Sequence, residues 1–498
     1  MMVLKPSGAF LLTFAAVMND PKYEVVIGLE VHAQLLTKSK LFCGDSAEFG
    51  AAPNTHISPI TLAHPGTLPK MNKKAIEYAI KLGAALNCDI EQHNYFARKN
   101  YFYPDLPKGY QVSQHTTPIC RNGFVTINVS GTEKNISLNR IHIEEDAGKS
   151  LHDVDDQYTA IDLNRAGVPL LEIVTEPCIH SSEEAFAYIT TLRKLVRWLS
   201  VCDGNMEEGS MRCDANISVR LKGEKKLGTR VEVKNLNSIR NVKRAIEYET
   251  ERLIALVENN EPILQETRSF DAGKGTTFSL RSKEDADDYR YFPEPDLVPF
   301  HITDEFLQKI RRSLPDLPAD VEKKYINNLG LTAYDAAVIC DDREQVEFFE
   351  ELIKYTSSHK AAANWLLGPI KNYLNDKSID IKGLGLSPEK TGALIDLVES
   401  GKLNFGIASS KIFIALLNEP AKEPLQIATE LNLIQENDTA ALEGWVNTVI
   451  AAMPDKVKEY RSGKKGLLGL FAGEVKKLSR GKADMQAVNK ILDEKLKL

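Results

Sequence analysis

No stretch of about 20 consecutive apolar residues occurs in the chain, so no segment reaches the length a helix needs to cross a bilayer. The apolar run from Ala9 to Val17 sits behind a single Lys5 and lacks a small-residue cleavage site, so it does not read as a secretory signal. There is no C-x-x-C pair either. The seven cysteines (Cys43, Cys88, Cys120, Cys178, Cys202, Cys213 and Cys340) are odd in number and widely scattered. That pattern argues against a disulfide framework or a zinc ribbon and fits a reducing, cytoplasmic setting. A global positive field is also missing: the net charge is −7, so any nucleic acid must be held by a local basic patch.

What is present is a globular composition, 43% hydrophobic and 26% charged, over 498 residues, enough for two to four domains. Residues 1–22 read as an N-terminal extension, with Met18 as the expected true start. From Tyr23 to about Pro293, period-2 segments alternate with short helical patterns, which predicts an α+β unit with a mixed, largely antiparallel sheet over residues 23–295. In Val25 to Leu35 every odd position is apolar, while Glu30, His32 and Gln34 share the opposite face. Met211 to Arg220 repeats the scheme, with Arg212, Asp214, Asn216, Ser218 and Arg220 on the polar side. Pro293, Pro295 and Pro299 end this pattern, and helical periodicity predicts an all-α domain over 296–404 with Trp365, Leu366 and Leu367 in its core. A small helical tail follows over 405–498, with Leu467, Phe471, Val475 and Leu478 as its buried stripe.

Chemistry concentrates on the polar sheet faces. Three acidic groups stand out: Glu30 with His32, the run His142-Ile143-Glu144-Glu145-Asp146, and Glu172. Carboxylates converging on one face suit Mg²⁺, a hard cation that bridges protein carboxylates to nucleotide phosphates. Ala147-Gly148-Lys149-Ser150 mimics the end of a P-loop, but Ile143 stands where the upstream glycine is required. ATP would therefore need another architecture, with Lys99, Lys149 and Arg165 as candidate phosphate partners. Neither an amidase-type serine cluster nor a G-x-C-x-G elbow is present, so the chain shows no means of releasing ammonia from an amide.

At these residues the sequence resembles the GatB family, the B subunits of aspartyl/glutamyl-tRNA amidotransferases. The matching blocks are Val26 to His32, Arg98 to Asp105, His142 to Ser150, Asp162 to Glu172, Met206 to Asn216 and Asp288 to Asp296. The resemblance implies a cradle related in fold to glutamine synthetase. It also implies a heterotrimer with an amidase (glutaminase) subunit plus a small bridging subunit, acting on misacylated tRNA(Gln) or tRNA(Asn) with ATP and Mg²⁺. This chain would phosphorylate the misloaded Glu or Asp before ammonia, delivered through a tunnel, attacks. Carried over position by position, Glu30, His32, Glu145 and Glu172 match the family's metal and catalytic positions. Strand alternation instead sets Glu144 beside His142, so either a register error or a bulge separates the two readings. Many family members also resemble a four-cysteine zinc site here, but Cys43 is accompanied by Asp45, Ser58 and Thr61, so no zinc is expected.

Two other readings fit the same residues: a non-catalytic tRNA-binding scaffold, and a free-standing amide ligase, since fold alone does not fix function. The tail opposes the second. Residues 456–498 carry a net charge of +7, leaving −14 on the rest, and Lys476, Lys477, Arg480 and Lys482 flank the apolar stripe.

Overall fold

The computed structural model describes residues 22–282, 289–435, 439–479 and 482–497. All but the last residue of the expected N-terminal extension, and Arg480 of the tail, lie outside the described residues. The chain divides into two compact units, Met1–Leu317 and Pro318–Leu498.

The first unit is built on a ten-stranded sheet. Its principal strands are β1 (Tyr23–Gln34), β2 (Thr132–Glu145), β3 (Pro169–Thr175), β4 (Met211–Leu221), β5 (Val231–Leu236), β6 (Glu266–Asp271) and β7 (Thr276–Ser282). They lie in the order β7-β6-β5-β4-β1-β3-β2, and Cys120–Arg121 and Asp89–Ile90 extend the β2 edge. Every pairing along this path is antiparallel except β5 with β6. The sheet is thus mixed and largely antiparallel, as the alternation predicts. Ile27, Leu29, Val31 and Ala33 of β1 are fully buried, as are Ala215 and Ile217 of β4. Three helices pack on the sheet: α1 (Lys73–Ala85), α2 (Ser182–Trp198) and α3 (Ile239–Glu258). Local sequence starts each one: Asn72, Ser181 and Ser238 cap their first turns by accepting hydrogen bonds from Lys74, Glu184 and Asn241 backbone N–H groups.

A smaller three-stranded sheet joins Ala97–Asn100 to Tyr110–Ser113 and, on its outer edge, to Phe292–Pro293. Pro293 is tolerated there because an edge strand need not donate on its open side. Phe300–His301 then pairs with His93–Asn94, so the first unit runs on past the three prolines to Leu317.

The second unit is helical. Trp365 and Leu366 are buried as expected, and the helix absorbs Pro369 through a π-turn at Leu366–Ile370 instead of ending there. Leu442, Val446, Tyr460, Phe471, Val475, Val488, Leu492 and Leu496 form a core of their own near the C-terminus. Phe471 and Val475 are central, Leu467 packs at the margin, and Leu478 is 46% exposed. The expected stripe is therefore shorter than the sequence suggests, because Leu478 is the last residue of its helix and faces solvent. Among the described residues no helix is long and apolar enough to cross a membrane.

Gly83, inside α1, shows how closely this helix approaches the sheet edge: a Cβ built there would lie 2.3 Å from Cys120 Sγ and 2.9 Å from Ile90 Cδ1. Gly83→Ala should therefore destabilise the protein by about 1–3 kcal/mol, the usual overpacking cost, despite alanine's better helix propensity. Chemical denaturation tests this, and Cys120→Ala in the same chain should recover part of the loss.

Candidate functional site

The polar face of the large sheet acquires its site from an unbroken register. Across β1 and β3, His32 is the Cα partner of Glu172; across β3 and β2, Glu172 is the Cα partner of His142. The three side chains stand in one row, and Glu144, two residues beyond His142, joins them from the same face. His32 Nε2 lies 3.6 Å from Glu144 Oε1 and 3.5 Å from Glu172 Oε2. His142 Nε2 lies 3.5 Å from Glu144 Oε2 and 3.4 Å from Glu172 Oε2. His32, Glu144 and Glu172 each offer one ligand atom within 4.8 Å of the others, the only such cluster of metal-ligating groups among the described residues.

The electrostatics follow from burial opposed by charge. Burial disfavours the imidazolium of His142, but Glu172 and Glu144 outweigh it and push its pKa up to about 9. His32 moves the same way against its own burial. Burial works against the Glu172 carboxylate, yet His142 and His32 hold its pKa well below the ordinary range. Two imidazoles thus stand where a cation is wanted, between two buried carboxylates, and such an imidazole–carboxylate donor set also fits a divalent metal.

A second polar group continues along the same face. Glu30 opposes Asp214 on β4, accepts from Asn216 Nδ2 at 3.0 Å, and is driven upward in pKa by burial and by Glu172. Lys234 of β5 reaches Asp214 at 2.7 Å and Glu232 at 3.0 Å. Lys99, on the smaller sheet, is half-buried, with its ammonium over the rings of Tyr289 (4.9 Å) and Tyr101 (5.8 Å). Burial acts against its charge, but Glu144, Tyr291 and Glu172 keep its pKa raised.

Not every residue expected at the site is there. Glu145 has the strand parity of Ile141 and Ile143, not of His142, and no bulge interrupts the register between them. Its carboxylate pairs with Lys108 Nζ at 2.5 Å and accepts from Val112 N at 2.7 Å. The carboxylate that joins His32 and Glu172 is Glu144; alternation, applied strictly, identifies it. Lys149 is exposed on a separate two-stranded ribbon with Ala160–Asp162. Arg165 spends its guanidinium on the carbonyls of Ala147 (2.9 Å) and Gly148 (2.6 Å), bracing the turn after β2. In that turn Gly148 N donates to Asp105 O, and a Cβ on Gly148 would come within 2.9 Å of two carbonyl oxygens. The turn is a packed corner, not a phosphate cradle. His142 and Arg212 are site neighbours that the sequence pattern places on polar faces without assigning them a role.

The loop after β1 gathers Cys43, Asp45 and Thr61 into a hydrogen-bonded knot. Thr61 Oγ1 donates to Asp45 Oδ2 at 2.5 Å, Cys43 Sγ lies 3.5 Å from Thr61 Oγ1, and the fully buried Lys40 ammonium lies 3.5 Å from the same hydroxyl and 3.2 Å from Leu163 O. One thiol and one carboxylate do not make the tetrahedral set of a structural zinc site. Elemental analysis of the purified protein is expected to give far less than one zinc per chain. One zinc per chain, lost on Cys43→Ala, would contradict this.

Two family models match the sequence: one for the GatB/GatE catalytic domain over residues 25–308 and one described as a GatB domain over residues 347–496. The chain is 47% identical to the aspartyl/glutamyl-tRNA(Asn/Gln) amidotransferase B subunit of Syntrophotalea carbinolica, over 95% of this chain and 99% of that protein. It is 48% identical to proteins of the same name from Chlorobium phaeobacteroides and Caldicellulosiruptor saccharolyticus, again over 95% of this chain and 99% of each relative. The blocks carrying Glu30, His32, Glu144 and Glu172 lie within the matched catalytic domain, and the chain belongs to the family of aspartyl/glutamyl-tRNA(Asn/Gln) amidotransferase B subunits.

Proposed function

We propose that this chain is the ATP-using subunit of a cytoplasmic tRNA amidotransferase. In this reading it activates the side-chain carboxylate of Glu on tRNA(Gln) or Asp on tRNA(Asn) by phosphorylation, and ammonia released by a partner amidase replaces the phosphate. A small third chain bridges the two, and the first unit of this chain acts as a cradle of the glutamine-synthetase type. The observation that carries the proposal is the row of His32, Glu172 and His142, closed by Glu144, on a polar sheet face in a chain without glutaminase residues.

His32, Glu144 and Glu172 would hold Mg²⁺, with Glu30 beside them. The bound metal would neutralise phosphate charge as it develops. Around it the chain's own groups have separable tasks. His142 backs Glu144 and Glu172 and fixes their orientation. Lys99, on the smaller sheet and kept charged by the field of the same carboxylates, supplies a positive charge for the incoming acidic side chain or for phosphate oxygens. Glu145 and Lys108, paired beside this group, are not assigned to the metal.

The distinction between the adjacent glutamates is directly testable. In the reconstituted complex, Glu144→Gln and Glu172→Gln should weaken Mn²⁺ binding by ~10–100-fold, measured by electron paramagnetic resonance, and abolish tRNA-dependent ATP hydrolysis while glutamine hydrolysis by the partner persists. Glu30→Gln should lose ATP turnover as well. Glu145→Gln should leave Mn²⁺ affinity within a factor of about three, since it removes no ligand. Full ATP turnover in the Glu144, Glu172 and Glu30 variants would leave the chain a non-catalytic scaffold.

The C-terminal tail is assigned to tRNA. Lys476 and Lys477 are exposed on the helix Leu468–Leu478, whose Phe471 and Val475 face the core. A helix anchored on one side and basic on the other suits backbone phosphates. Truncation after residue 404 should weaken tRNA binding and lower the slope of log affinity against log salt by roughly one for each phosphate no longer bound. An unchanged slope would move tRNA binding to the rest of the chain.

A further inference from the structure

Arg212 of β4 is the direct Cα partner of His32 on β1, so its side chain rises from the polar face next to the carboxylate row. Among the described residues its only hydrogen-bond partner is Asp146, reached by Nη2 at 2.9 Å, while its buried Nε has none. Asp146 is itself buried and is fixed from several sides: Gln34 donates to the same Oδ2 at 2.6 Å, Arg165 lies 3.6 Å away, and Ala147 N donates to Oδ1 at 3.0 Å. One amino group of the guanidinium is thus held by a rigid carboxylate. The rest of the donor set is uncommitted, and the side chain is 39% exposed.

The other cations near the row are differently disposed. Lys234 is held by Asp214 and Glu232, Arg140 lies 3.5 Å from Glu172, and Lys99 is packed between tyrosine rings. If Arg212 served only to neutralise Asp146, a buried N–H without an acceptor would be an uncompensated cost. A planar guanidinium oriented by one carboxylate and left with uncommitted donors is instead the usual receptor for a tetrahedral oxyanion.

Resting on the function proposed above, we propose that Arg212 is the oxyanion clamp of the site, receiving the phosphoryl group in transit, and that Asp146 is the positioning residue that aims it. In the first step a side-chain carboxylate oxygen of the aminoacyl-tRNA bonds to the γ-phosphorus of ATP as the bond to the bridging oxygen breaks, releasing ADP. In the second, ammonia forms the C–N bond as the C–O bond to phosphate breaks, and the surplus proton leaves with inorganic phosphate or to solvent. Arg212 stays protonated throughout. It contacts the equatorial phosphoryl oxygens in the first step and the departing phosphate in the second.

The test uses the complete complex with misacylated tRNA and compares wild type, Arg212→Ala, Arg212→Lys and Asp146→Asn. Arg212→Ala should lower tRNA-dependent ATP hydrolysis and amidation together by ~10²–10³-fold, the usual cost of one oxyanion donor. Glutamine hydrolysis and Mn²⁺ affinity should stay near wild type. Added guanidinium ion should restore part of the ATP turnover of Arg212→Ala, and methylammonium at equal ionic strength should not. Arg212→Lys should remain impaired because an ammonium cannot reproduce the planar fork. Asp146→Asn should keep measurable turnover at a lower rate. Wild-type rates in Arg212→Ala overturn the proposal. So does a loss of activity accompanied by lost Mn²⁺ binding and no guanidinium rescue, which would make Arg212 a structural counter-ion. A wild-type complex that fails to hydrolyse ATP in response to misacylated tRNA overturns the functional reading itself, and the clamp with it.

Discussion

Three neighbouring strands hold an uninterrupted antiparallel register from His32 through Glu172 to His142, and the arrangement of the polar face depends on it. A one-residue slip in β1, β2 or β3 would turn that strand's polar set toward the helices and its apolar set toward solvent. Such a slip is opposed by the fully buried Ile27, Leu29, Val31 and Ala33 on β1, together with Ile141, Ile143, Leu171 and Ile173 on its neighbours. The hydrophobic effect that assembles the sheet therefore also sets the geometry of the carboxylates. The only irregularity in the β3–β2 pairing lies between Val174 and Thr175, beyond Glu172 on the side away from Glu144.

Because the row is fixed from behind, its electrostatics can be demanding. Two buried carboxylates face each other, and the imidazoles of His32 and His142 stabilise them at a cost in their own desolvation. The surrounding charges are arranged in separate pairs: Lys234 with Asp214 and Glu232, Lys108 with Glu145, and Arg212 with Asp146. Each cation removes one or two carboxylates from competition for the central position. Glu145, one residue from Glu144 and equally buried, illustrates this: with its charge committed to Lys108 and to Val112 N, it is structurally distinct from its neighbour.

The smaller sheet closes the site from the other direction. Tyr110–Ser113 brings Val112 N to Glu145 and Ser113 Oγ to within 3.4 Å of Glu144, and the adjacent strand carries Lys99 among Tyr101 and Tyr289. Phe292–Pro293 seals the outer edge, and Glu294 binds Arg98 through two 2.7 Å hydrogen bonds. The proline-rich segment that reads as the end of the sheet pattern is thus part of the framework that holds Lys99 in place.

Period-2 alternation alone determined that Glu30, His32 and Gln34 share a face and that Arg212, Asp214 and Asn216 share another, because side-chain direction in a strand is fixed by residue parity; it set Glu144 beside His142 where the family resemblance pointed to Glu145, and only the bulge-free register of the structure separates the two. The helical second unit and its apolar tail stripe were equally legible, apart from Leu478 at the helix end, where periodicity no longer implies burial. What only the tertiary structure decided is which polar faces meet. The strand order that sets β1 between β3 and β4, far apart in sequence, joins His32 to Glu172 and to Arg212. The same long-range packing commits Arg165 to two backbone carbonyls, leaves Lys149 in solvent and gives Glu145 to Lys108. A local pattern states which way a side chain points; the strands and loops that fold against it, 17 residues away for Arg165 and 140 or more for His32, determine what it finds there.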